Sequence, residues 1–444
     1  MRSVALIKCA WREPAKVLSA FADEPFACAF LSGGEGPRAR WSYVLRWPDK
    51  VLEQGDDPFQ GLARLIGRRQ ASHPGGPPFQ GGVVGLATYE LGDRVEPMGL
   101  RRHPDWPDLS AARFPGLLAF DHHSREVIAV GRGEDEGKAA DWAKAAASWL
   151  DLEPYLPTGG RLAESFEPTT SAEDYERTVA EVVERIAAGE IFQANIARRW
   201  AGRTAADPFG LLWRLLQLSP APFAAYLSMP GRAVVSNSPE RFLSVTAGDE
   251  LTVETRPIKG TRPRGRTREE DGALAAELAA SAKDRAENLM IVDLMRNDLS
   301  RVCPAGAVAT PELFRVETFP NVHHLVSTIT GRLAPGTSAV DLLQAAFPPG
   351  SITGAPKVQA MKVIARYEPP RGPYCGSMFW AGADGAFDSS VLIRTVSFVR
   401  DGEGWRFEAP AGAGIVADSD PRLEREETEA KIAALRRALT EPRP

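Results

Sequence analysis

Cysteine is scarce in this chain: four in 444 residues, at Cys9, Cys28, Cys303 and Cys375, with no CxxC pair among them. That spacing argues against a disulfide framework and against a zinc site built on thiolates. Histidine is scarce too. The six include two adjacent pairs, His122 with His123 and His323 with His324, but no HExxH. No apolar run approaches the roughly 20 residues of a membrane-spanning helix, and the first residues lack an apolar signal core. Excess positive charge is also missing. A net charge of −5, without a basic arm or an RNA-binding signature, argues against a general nucleic-acid binder. What remains is an ordinary globular composition, 43% hydrophobic and 25% charged. The expectation is a cytoplasmic enzyme with neither membrane nor nucleic acid as partner.

The texture changes along the chain. Residues 1–160 are rich in Gly and Pro, with short apolar runs at 82–87 and 116–120 that read as strands. Residues 121–130 read as one more strand, 138–150 as an Ala-rich helix, and 151–170 as a linker rich in Pro and Gly. Two regions are therefore expected, 1–160 and 161–444. From Ser171 the sequence Ser-Ala-Glu-Asp caps a helix expected to reach Glu190. Strands are expected at 193–200, 224–228, 233–236 and 242–246, and a last helix near 423–439. No internal repeat interrupts this alternation.

Several residues stand out against that background. Lys259 lies in PIKGTRPRG, with Arg262, Arg264 and Arg266 close behind. Neighbouring positive charge lowers a lysine's pKa and frees its nucleophilic amine, although a solvated basic loop is the plainer alternative. Asp284 and Glu287 sit three apart in KDRAENLMIVDLMRND, where helical spacing aligns them with Ile291, Leu294 and Asp298. Acids on such a stripe face inward, where charge must be paired or bound to a cation. Glu424 and Glu427 repeat the spacing in DSDPRLEREETEAKI, although acids in a first helical turn also simply complement the helix dipole. Two such pairs without a Cys/His cluster suit Mg²⁺. Arg394 is the lone charge in SSVLIRTVSF, either an anion contact or an edge-strand arginine with its head in water. Tyr374 in RGPYCGSM is an anion contact or a turn tyrosine packed on Pro373. Gly412 and Gly414 in PAGAGIVADS permit close backbone approach to an anion. Glu240 in SNSPERF is a candidate general acid or a turn carboxylate paired with Arg241.

Taken together, SNSPERF, PIKGTRPRG and AENLMIVDLMRND, with GGVVGLATYELG upstream, resemble the chorismate-utilising enzymes. That family includes anthranilate synthase component I, aminodeoxychorismate synthase component I, isochorismate synthase and salicylate synthase. The resemblance is dense from 171 to 431 and thin before 80. It implies an α+β fold, a sandwich of two large, mostly antiparallel sheets flanked by helices, with the two regions intertwined. It also implies Mg²⁺ on Glu287 and Glu427, with Asp284 and Glu424 in support; the shorter Asp284 favours a water-mediated role. Tyr374, Arg394, Gly412 and Lys431 fall on substrate-binding positions, and Gly260 and Thr261 fall beside the ring carboxylate of chorismate. Glu240 matches the general acid and Lys259 the nucleophile. His324 matches a histidine near the ring, with an orienting role; His323 fits less well.

Relatives that add water carry a lysine base where this chain has Gln193, which is counted here with the substrate-binding residues. Glutamine cannot act as a base at neutral pH, which argues against isochorismate or salicylate synthesis. Anthranilate synthases usually carry Ala at the position of Lys259, and aminodeoxychorismate synthases carry Lys. The implied reaction joins chorismate and ammonia into 4-amino-4-deoxychorismate on the way to p-aminobenzoate and folate. Anthranilate synthesis is the neighbouring reading, and a non-catalytic chorismate-binding subunit is the reading from another class. The sequence has no glutaminase nucleophile elbow, and Cys28, between Ala27 and Ala29, reads as core. A separate glutamine amidotransferase subunit (component II) is therefore the expected ammonia source, and another protein the expected source of pyruvate elimination. Residues 29–43 lack the Glu-Ser signal of the tryptophan pocket in anthranilate relatives, so tryptophan feedback is not expected.

Overall fold

In the computed structural model the described residues are all except 1–2, 34–38, 53–54, 56, 158, 320–321 and 443–444. The apolar run Gly116–Asp121 shows how its layers arise. Every side chain in this strand is buried, because it has no water-facing side. Leu118 and Phe120 point into one core with the helices, while Leu117 and Ala119 point into another between two sheets. The period of two thus serves two apolar faces rather than one.

Layer order is helices, sheet, sheet, helices. Among the described residues the first sheet has twelve strands, with Glu167–Pro168 beside the main path, which runs from Ser3–Cys9 through Glu126–Gly133, Gly116–Asp121, Trp41–Leu45 and Cys28–Leu31. It continues through Phe223–Met229, Arg232–Ser238, Thr395–Asp401, Gly404–Ile415 and Gln193–Thr204 to Gly354–Ala355. The second has ten, with Ala309–Thr318 paired to Val322–Arg332 beside the main path, which runs from Ile258–Pro263 through Val322–Arg332, Thr252–Thr255, Arg241–Thr246, Phe387–Val391, Ser377–Gly382, Gly82–Ala87 and Leu109–Phe114 to Lys50–Val51. The pairings that flank the site are all antiparallel. The fold is the α+β sandwich that the resemblance implies. Strands from both sides of residue 160 enter both sheets.

Three expected elements differ in detail. Residues 121–130 are not one strand: Asp121 closes the preceding strand, and its carboxylate accepts from the His123 N–H at 3.0 Å. Arg125 then takes a left-handed φ of 56° before the strand Glu126–Gly133 begins. The helix after Ser171 spans Ala172–Ala187 and stops short of Glu190, because Gly189 turns the chain with φ of 78°. The Ala-rich helix is Glu136–Ser148, followed by a 3₁₀ turn at Trp149–Asp151. Among the described residues no helix is long and apolar enough to cross a membrane.

Candidate active site

A cavity of about 650 Å³ opens where the far ends of the two sheets meet. Its walls come from Gln193–Thr204 and Gly404–Ile415 of one sheet, Ile258–Pro263 of the other, and the helices Ala282–Ser300 and Pro421–Thr440. Ser281 caps the first of these helices, accepting from the Asp284 N–H, and Asp420 caps the second, accepting from the Leu423 N–H. Each cap starts its helix just before a carboxylate pair, so Asp284 and Glu424 enter the cavity from first turns and Glu287 and Glu427 from the turns that follow. Ile291 and Asp298, further along the acidic stripe, are buried as the spacing requires. Lys357 meets Asp298 at 2.7 Å and satisfies that buried charge.

Thirteen of the fourteen residues to which the family resemblance gives a role line this cavity, as does Gly414: Glu240, Lys259, Gly260, Thr261, Asp284, Glu287, His324, Tyr374, Arg394, Gly412, Glu424, Glu427 and Lys431. The fourteenth, Gln193, is 1% exposed and lies just behind the wall. A Cβ placed on Gly414 would stand 2.5 Å from Gln193 Nε2 and 3.1 Å from Lys259 Nζ. Glycine is what lets the amine and the amide approach the strand so closely.

The lysine's pKa is lowered, but not for the reason its sequence suggests. Burial is the largest cause, and the opposing like charge is Lys431. Two of the three arginines are held by acids. Arg262 bonds Glu277 at 2.7 Å and Asp284 at 3.1 Å, and Arg264 grips Asp271. Glu240 is not the partner of Arg241 either, because Arg241 pairs with Asp388 and Glu254. Burial pushes the Glu240 carboxyl up to about 7, against the pull of a Ser351 hydrogen bond and the Lys259 charge. A carboxyl poised there holds a proton it can give away near neutral pH.

His324 is buried, and its Nδ1 lies 2.9 Å from Thr261 Oγ1. Burial first and the nearby Arg394 second lower its pKa to about 4, so the ring is neutral and braces the Lys259 strand. His323 points away, to Thr318 and Asp271. Arg394 does not lie inside a strand. It occupies the corner between Phe387–Val391 of one sheet and Thr395–Asp401 of the other, with φ of 51°. Its guanidinium has no carboxylate in ion-pair contact among the described residues, and burial alone lowers its pKa. Gly260 also needs its hydrogen side chain: φ is 86°, and a Cβ would stand 2.9 Å from the Asp284 carboxylate.

A model of the chorismate binding enzyme family matches residues 27–437. The chain belongs to the chorismate-binding enzymes. It is 37% identical to aminodeoxychorismate synthase component 1 of Escherichia coli (strain K12), over 98% of this chain and 99% of that one. It is 39% identical to anthranilate synthase component 1 of Streptomyces coelicolor, over 92% and 82%. The crystal structure of anthranilate synthase component I from Streptococcus pneumoniae TIGR4 superposes with a TM-score of 0.79 at 27% identity, covering 90% of this chain and 93% of that one.

In this chorismate-binding enzyme three of the four helix carboxylates already have partners of their own. Arg262 holds Asp284, Ser419 Oγ donates to Glu424 at 2.6 Å, and Lys431 meets Glu427 at 2.6 Å. Among the described residues no three of them close into a ready-made metal cluster. Their chemistry nonetheless suits a hard divalent cation. Burial, and then repulsion from Asp284 and Glu424, pushes Glu287 upward. Burial and the neighbouring Glu427 do the same to Glu424. A cation between the helices relieves both effects.

The cavity residues not singled out in the sequence include Lys283 and Asn195. Lys283 stands beside the acids of both helices and lowers the pKa of Glu287, Glu424 and Glu427. Asn195 is 7% exposed, and its Nδ2 has no hydrogen-bond partner among the described residues. Its signal was available: Gln193 and Asn195 are two apart on one strand, so they share a face. A second cavity, of about 610 Å³, lies between the sheets, with Leu31, Ser32, Trp41 and Tyr43 of the 29–43 stretch in its wall. The central residues of that stretch, 34–38, lie outside the described residues.

Proposed function

We propose that this chain is component 1 of an aminodeoxychorismate synthase, converting chorismate and ammonia into 4-amino-4-deoxychorismate and water. The carrying observation is Lys259, an amine whose charge is disfavoured by burial, in one cavity with Glu240, a carboxyl held near neutrality. Identity does not choose between the branches, since the anthranilate synthase relative is as similar as the aminodeoxychorismate synthase one. The lysine does.

Chorismate brings two carboxylates. Arg394, Tyr374 and the backbone beside Gly412 suit the one on the enolpyruvyl arm. Glu287 and Glu427, supported by Asp284 and Glu424, would hold Mg²⁺, which supplies charge compensation for the ring carboxylate. Lys259 then attacks ring C2 and loses a proton; both ring double bonds move one position, and the C4 hydroxyl leaves as water on protonation by Glu240. In the second displacement ammonia attacks C4, the double bonds move back, and the lysine amine departs from C2. Atoms balance, and no redox partner is needed. Gln193, beside the amine, cannot deprotonate water, which disfavours hydroxylation at C2. The product leads toward p-aminobenzoate and folate.

The deciding experiment incubates purified protein with chorismate, ammonium and Mg²⁺ and identifies the product. We expect 4-amino-4-deoxychorismate, with glutamine unable to replace ammonium until a separate amidotransferase subunit is added. Anthranilate would establish the neighbouring branch. No turnover would favour a non-catalytic chorismate-binding subunit, and glutamine use by this chain alone would remove the need for a partner.

Metal removal offers a separate check. Chelation, or Glu427→Ala, leaves the ring carboxylate facing uncompensated acids and should lower turnover at least about 100-fold. Full activity in chelated protein would rule the cation out.

A further inference from the structure

The segment Thr88, Tyr89, Glu90 belongs to a motif conspicuous in the sequence, yet none of the three lines the chorismate cavity. Glu90 is 3% exposed. A carboxylate so deeply buried is costly, and here it is satisfied by backbone rather than by a cation. Its two oxygens accept from the Arg371 N–H at 2.6 Å and the Gly372 N–H at 3.0 Å. In return the Tyr89 N–H donates to the Gly372 carbonyl at 2.9 Å. Three bonds thus clamp the start of the turn that carries Tyr374. The turn needs clamping at its far end, where Cys375 takes a left-handed φ of 61°, a conformation costly for any residue but glycine.

Arg371 extends the clamp sideways. Its guanidinium lies 4.7 Å from the Tyr89 ring centroid and 5.7 Å from that of Tyr374. It forks onto the Glu368 carboxylate with two bonds of 2.9 Å and donates to the Asn195 carbonyl at 2.6 Å. Glu368 in turn accepts from the Ala197 N–H at 2.8 Å. The turn with Tyr374 and the strand with Asn195 are therefore bolted together behind the cavity wall. In front of it their polar ends converge: a Cβ on Gly412 would stand 2.7 Å from Asn195 Nδ2 and 2.9 Å from Tyr374 Oη.

We propose that Glu90 and Arg371 are positioning residues, which hold Tyr374 and Asn195 as a fixed pair of donors for the enolpyruvyl carboxylate of chorismate. The inference rests on the functional reading above and adds to it the origin of the site's rigidity. Neither residue touches substrate. Both act through the two donors.

A double-mutant cycle tests this, with chorismate affinity measured calorimetrically in Mg²⁺ without ammonium for wild type, E90Q, Y374F and E90Q/Y374F. The glutamine of E90Q keeps the shape but turns an amide NH₂ toward a backbone N–H. We expect each single variant to bind chorismate about tenfold more weakly, and the double variant no more weakly than the poorer single one. In turnover the loss should appear in KM, with kcat within about twofold, because the contact is made equally in ground and transition states. A merely structural role would lower the melting temperature without this coupling to Tyr374. If E90Q fails to fold, R371K replaces it in the cycle, since lysine keeps the charge and loses the fork. Wild-type affinity in the variant, or losses that add in the double variant, would overturn the inference. A wild-type protein that bound no chorismate would instead overturn the functional reading, and the inference with it.

Discussion

Lys259→Ala is expected to cut formation of 4-amino-4-deoxychorismate roughly 10³-fold or more, as removal of a nucleophile does elsewhere. Chorismate should still bind, because Arg394, Tyr374 and the carboxylate helices are untouched. The vacated space adjoins Gln193 and Gly414, where the amine now packs. Ammonia admitted there reaches C2 directly, so residual turnover should shift toward the C2-aminated product. Lys259→Arg separates chemistry from charge: the guanidinium stays cationic, never presents a neutral amine, and should be nearly as inactive. Mass spectrometry of a quenched wild-type reaction should find substrate mass on the peptide bearing Lys259. Wild-type rates of C4 amination in the alanine variant would exclude covalent catalysis.

For Glu240→Gln the expected loss is roughly 10²–10⁴-fold, the reach of general acid catalysis. The amide keeps the side chain's shape and removes its transferable proton. The pH dependence follows from the same group. Below about pH 7 the Glu240 carboxyl is protonated and can donate; above it the carboxylate cannot. After correction for free ammonia, kcat/KM should therefore fall as pH rises through about 7. The glutamine variant should lack that limb. Near-normal turnover in the variant would leave Glu240 without a chemical role.

How much of this was legible depends on whether one element or several decide the outcome. The acidic stripe of Ala282–Ser300 could be read directly, since its period belongs to a single helix. So could Gly82–Ala87 and the cap at Ser171. The strand break at residues 122–125 could not, because no Gly or Pro marks it and the turn depends on the Asp121 side chain. Arg394 was misread for a related reason: the apolar letters on either side belong to strands of different sheets. The low pKa of Lys259 was right in direction, but its cause was tertiary. Adjacent arginines looked decisive in one dimension, whereas in three dimensions Arg262 and Arg264 are paired with Glu277, Asp284 and Asp271. Asn195 could be read from the strand period it shares with Gln193, but the space that Gly412 opens beside it is visible only across strands. The sandwich itself came from family likeness, since periodicity does not say which strand pairs with which.

The order of strands bears on how the molecule is made. Gly82–Ala87 pairs on one side with Ser377–Gly382, and Phe223–Met229 joins Cys28–Leu31 to the strands that lead to Thr395–Asp401. A ribosome therefore finishes the early strands long before their neighbours exist. Until the 377–415 stretch emerges, the edge of Gly82–Ala87 that it will cover stands open, and every side chain of that strand is destined for burial. Such long-range pairing makes folding slow, and the open edge invites pairing with the wrong chain. A nascent chain stalled before residue 377 should be a client for chaperones, while the finished chain should not.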